Sequence, residues 1–157
     1  MIRLHVKPFM KLSFLFILPF FFLSTTFPET LGEGMLTIVV NGIDTQGGSI
    51  RVAVFNQQTH FLERNGYVFA QSVPVDNKTS VQVSFKMPHG YYAVTTYHDV
   101  NDNRILDKNG MGIPTEPYGI SNGFNTKWRK PTFDETKFAF NESNQTIYLD
   151  VKRWKDR

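Results

Sequence analysis

The stretch YHDVNDNRILDKNG, Tyr97 to Gly110, sets Asp99, Asn101, Asn103 and Asp107 at odd spacing directly after an alternating apolar run. Oxygens at alternate positions are how EF-hand-type loops converge on one calcium ion, and Asp99, Asn101, Asn103, Ile105 and Asp107 fall at positions 1, 3, 5, 7 and 9 of that spacing. Hard oxygen donors in a chain without cysteine point to calcium rather than zinc. Two positions depart from the pattern. Arg104 stands where such loops carry glycine, and Gly110 where they carry a bidentate glutamate. Arg104 therefore argues against a tight, cation-wrapping turn. Two readings stay open: a structural calcium with Glu116 or another acid completing its shell, or an Asx-rich turn whose side chains bond their own backbone.

His98 could do acid–base chemistry if Glu116 and Tyr118 came to it across the following loop. Its sequence neighbour Asp99 is no automatic partner, because adjacent strand residues point to opposite faces. No nucleophile elbow, phosphate loop or zinc-protease helix accompanies these residues. The expectation is therefore no catalytic residue, with His98 anchoring the loop; a small hydrolase using His98, Glu116 and Tyr118 is the alternative. Tyr118, Phe124 and Trp128 recur within Asn109–Glu135, a stretch too rich in Gly, Pro and Asn for regular structure. Connections this long inside one domain are uncommon and usually functional. These aromatics are a candidate ligand-stacking platform, or else plugs that pack the loop itself.

The elements that must position these residues are strands. Val81, Val83, Phe85 and Met87 alternate with Ser80, Gln82, Ser84 and Lys86, and similar alternation runs through Leu36–Val40 and Ile50–Val54. GYYAVTTYHD, KFAF, QTIYLDVK and a run near Phe69–Val75 bring the count to about seven, with one helical turn expected over Thr59–Arg64. Short strands punctuated by Gly, Pro and Asn predict an all-β, antiparallel β-sandwich with one long ordered loop.

The first residues read as a targeting segment. Arg3, Lys7 and Lys11 precede an apolar run from Leu12 to Leu23 and small polar residues at Ser24–Thr26. That layout is a secretory signal peptide over residues 1–26, too short to span a bilayer comfortably. A linker over 27–34 and a single domain over 35–157 would follow. Three of the 17 basic residues lie in the leader, leaving 14 against 14 acidic ones, so the mature chain is formally neutral. No nucleic-acid partner and no membrane span in the mature chain are expected. Without cysteine, an exported fold must hold by its core alone, in a bacterial periplasm or outside the cell.

One further signal is the long motif MPHGYYAVTTYHDVNDNRILDKNGMGIPTEPYGISN, preceded by Gly47, Gly48 and Phe55 and followed by Pro131, Phe133 and Phe138. This pattern resembles the exported bacterial proteins grouped as domain of unknown function 2141, from about Leu36 to Val151. The resemblance implies a transthyretin-like or immunoglobulin-like sandwich and export, and no settled activity. The transthyretin-like class includes hydrolases of a purine breakdown product, but the terminal tetrapeptide of that subgroup is absent from this chain, which ends KRWKDR. The expected function is a non-enzymatic binding or structural module of the cell envelope, with an envelope protein, carbohydrate or small ligand as partner.

Overall fold

Alternating burial sets the two layers. The computed structural model describes residues 32–44, 47–124 and 129–157. Its strands are β1 (Glu33–Asn41), β2 (Ser49–Phe55), β3 (Phe69–Pro74), β4 (Ser80–Pro88), β5 (Gly90–Asp99), β6 (Tyr118–Ile120), β7 (Phe138–Phe140) and β8 (Asn144–Asp150), with one short helix, α1 (Phe133–Thr136). One sheet runs β4-β1-β8, the other β3-β2-β5-β6, and β7 also pairs with β5. Leu36, Ile38 and Val40 of the first sheet face Ile50, Val52 and Val54 of the second in one continuous buried core. The architecture is a β-sandwich. The expected leader lies outside the described residues, and β1 already begins at Glu33, inside the expected linker.

Three expectations need correction. β6 is an eighth strand, inside the stretch expected to carry no regular structure, and α1 lies there too. Gly119 reads as a breaker, yet a Cβ there would stand 2.7 Å from the Asp150 carbonyl oxygen. Glycine thus serves close approach between the two sheets rather than disorder. The expected helical turn over Thr59–Arg64 is a series of tight turns, closed by bonds such as Glu63 N–H to His60 O and interrupted by Leu62 at φ +64°. The sandwich is also not purely antiparallel, because β8 runs parallel to β1. The chain leaves β7 on one sheet and crosses beside the start of β1, where Met35 N–H bonds the Ser143 carbonyl, so it enters β8 from the same end.

A second, smaller core sits outside the sandwich. Phe55 and Ala93 leave the outer face of the five-stranded sheet apolar at one end, and Phe61 and Phe133 cover them. The rings meet edge to face, with centroids 5.3 Å apart for Phe55–Phe61 and 5.9 Å for Phe61–Phe133. Aromatic pairs favour that geometry because ring edges and faces carry opposite partial charge. Gln58 Oε1 accepts the Phe133 N–H at 2.6 Å and joins the two covering loops.

Candidate functional site

At the opposite end of that face the covering is polar. β5 ends in His98, turned inward, and Asp99, turned outward, and both side chains are fully buried. Asp99 Oδ2 accepts from Arg51 Nε at 2.6 Å and from the Arg104 N–H at 2.8 Å, and Oδ1 accepts from the Asn103 N–H at 3.0 Å. A buried carboxylate is tolerable only when its charge and lone pairs are met in this way. Glu116, also buried, ties the far side of the loop by accepting the Val100 N–H at 2.9 Å and the Asp107 N–H at 3.0 Å. Residues 100–107 hang from two buried acids.

The amides complete the loop. Asn101 Oδ1 accepts the Asn103 N–H at 3.1 Å and Asn103 Oδ1 accepts the Ile105 N–H at 2.8 Å, two successive Asx turns. Their Nδ2 groups donate to Asp107 at 2.8 and 2.9 Å. Arg104 takes a left-handed φ of +66°, so the tight turn forms without the glycine that the spacing called for. Asp99, Asn101, Asn103 and Asp107 are thus brought together as expected, but their oxygens are spent on backbone N–H groups, Asn amides and the Arg51 guanidinium. Among the described residues no three His, Asp or Glu side chains gather to hold a metal ion. The donor set as arranged does not fit a calcium cage, which needs six or more oxygens free to converge.

This loop is the centre of the stretch that matches a known family. Residues 38–148 match the family described as "uncharacterized protein conserved in bacteria (DUF2141)". The chain belongs to this family. No curated protein and no solved structure matches it.

In this DUF2141 chain the alternative acid–base residues lie on neighbouring segments, the His98 N–H bonding the Pro117 carbonyl at 2.9 Å, but their side chains have other partners. His98 bonds through Nε2 to the Gly47 carbonyl at 2.7 Å, while both Glu116 oxygens face backbone N–H groups. The carbonyl can only accept, so Nε2 is the donor in this bond. Among the described residues no hydrogen bond joins His98 to Glu116 or Tyr118. Tyr118 is half-buried under the Arg157 guanidinium, 3.9 Å above its ring, and Arg157 also donates to the Tyr118 carbonyl. Burial lowers the Arg157 pKa from its ordinary value.

Of the expected stacking platform, Phe124 faces the Arg129 guanidinium at 5.5 Å and lines an open cavity of about 290 Å³ with Ile120, Tyr148, Leu149 and Arg157. Trp128 lies outside the described residues. The residue that sequence reasoning missed is Arg51. Its signal was faint: one cation among the outward positions of an alternating strand, 48 residues from the acid it meets.

Proposed function

We propose that this DUF2141 protein is a non-enzymatic binding or structural module of the bacterial cell envelope, exported by way of the leader over residues 1–26. The observation that carries the reading is the use made of its acids: Asp99 and Glu116 are buried and spend their oxygens on Arg51 and on four backbone N–H groups of one loop. A general acid or base needs a site within reach of substrate and a proton free to move. His98, fully buried and bonded to Gly47, has neither an exposed edge nor an acid beside it in a hydrogen bond. What such a construction does well is hold a loop rigid on a sheet, which suits recognition.

Co-sedimentation of the purified exported protein with isolated bacterial envelopes tests the proposal. Saturable binding that survives in His98→Gln is expected. Turnover of a purine-derived lactam that falls at least about tenfold in His98→Gln, an effect of the size general acid–base groups supply, would replace the proposal with the hydrolase reading.

A further inference from the structure

Strand register places a polar row across the outer face of the five-stranded sheet. Arg51 lies opposite Ser72 on β3 and opposite Tyr97 on β5, and Tyr97 lies opposite Tyr118 on β6. Directly paired residues project from the same face. Ile50, Val52 and Val54 turn into the core, so this row turns outward. Two residues further along, the row reads Ala70, Ala53, Thr95 and Ile120. Beyond that stand Phe55 and Ala93 beneath Phe61 and Phe133. A floor of mostly small side chains therefore lies between an aromatic wall and an Arg–Tyr wall, roughly 14 Å long across four strands and with its walls about 13 Å apart.

Arg51 is the prepared group on this face. Asp99 holds it through Nε, and among the described residues neither terminal Nη nitrogen has a hydrogen bond, with the side chain 23% exposed. Arg51 and Tyr97 are both only partly buried, so this pair lies at the surface of the sheet. A guanidinium fixed at one nitrogen presents the other two as a preset fork, the geometry that a planar carboxylate fits. Burial pushes the Tyr97 phenol up and keeps it a proton donor, with Arg51 and Arg64 pulling it down and Asp99 and Glu116 pushing it up. Asp99 is engaged by Arg51 and Glu116 by the loop, while exposed Arg64, close enough to act on Tyr97, makes no ion pair among the described residues and adds positive charge nearby.

We propose that Arg51 and Tyr97 receive the carboxylate of a sugar acid lying across the trough, with Arg64 at its rim. This inference rests on the reading of the chain as a binding module and names the ligand class. Hydroxyls of Ser72, Thr95 and Tyr97 and the small floor beside them suit a pyranose ring and its hydroxyls. An acidic peptide would instead seek a free strand edge, whereas this trough crosses the strands.

Calorimetric titration of the exported protein with a galacturonic acid trimer tests it, with the neutral galactose trimer as control. The acid form is expected to bind at least about tenfold tighter, the difference a charge-assisted bond supplies, and less tightly as salt rises. Tyr97→Phe, which disturbs no buried partner, should weaken binding roughly threefold, one hydrogen bond's worth, with an unchanged melt. Arg51→Lys should cost more. Equal affinity for the two trimers, or full affinity in Tyr97→Phe and Arg51→Lys, overturns the proposal; so does binding of a tri-glutamate peptide in place of the sugar acid. Envelope co-sedimentation that persists while the trimer fails would overturn this site and leave the binding module standing.

Discussion

The two ends of the outer face of the five-stranded sheet are covered by opposite physics. At one end Phe55, Phe61, Ala93 and Phe133 hold the loop and α1 by apolar contact. At the other, Asp99 and Glu116 hold residues 100–107 by charge and directed hydrogen bonds. Apolar packing is non-directional and loses stability in proportion to the area removed. A buried carboxylate network fails as a unit, because any lost partner leaves a desolvated charge or an orphaned N–H. The same two strands thus carry a forgiving cap and an unforgiving one, and the unforgiving one fixes Arg51.

Breaking the polar end should have the largest effect. Asp99→Ala leaves Arg51 and the N–H groups of Asn103 and Arg104 unmet and is expected to cost about 3–5 kcal/mol, the range for a broken buried ion pair, in urea denaturation. A loss below about 1 kcal/mol, the scale of an exposed pair, would put the two ends on the same footing. Phe61→Ala should cost about 2–3 kcal/mol, somewhat under the usual core value because the ring sits at the rim of its cluster. Phe61→Leu should recover most of that, whereas Asp99→Asn should not recover Asp99→Ala to the same degree.

A pH titration sharpens the contrast at the helix that carries Phe133. Hydrogen bonding from Arg129, then from the Thr132 backbone and hydroxyl, holds the Glu135 carboxyl down to about 2 from an ordinary 4.5. A depressed carboxyl pKa contributes stability above the unfolded value and loses it as pH falls through the folded one. NMR signals of Thr132–Lys137 should therefore titrate with a midpoint near pH 2, while the Phe61–Phe133 ring contact persists. Separation of those rings in step with Glu135 would mean that the apolar cap depends on a polar tether. The smallest expected effect is that of calcium. Additions up to the millimolar range of weak extracellular sites should leave the melting midpoint unmoved, and an upward shift lost in Asp99→Ala would show that the loop oxygens rearrange around an ion.

Much of this was legible along the chain. Alternation located the strands, and Asx chemistry was one of two readings open for residues 99–109. β6 escaped notice because three residues around a glycine carry no periodicity, and only the approach of Asp150 gives Gly119 its purpose. The outer Phe cluster escaped because Phe55, Phe61 and Phe133 are spread over the chain and meet only once the loops fold back. Arg104 argued against a tight turn, and the turn formed regardless, with its N–H held by Asp99.

What the sequence by itself determined is the local grammar: which residues alternate, where Asn and Asp bend the backbone, and that an apolar core without cysteine must hold the fold. Such choices depend on neighbours within a few residues. Tertiary structure decided which cation met Asp99 and which N–H groups met Glu116, and whether His98 had an acid beside it. Register between distant strands sets those meetings, and a one-residue slip would send Arg51 to the other face and leave Asp99 buried alone.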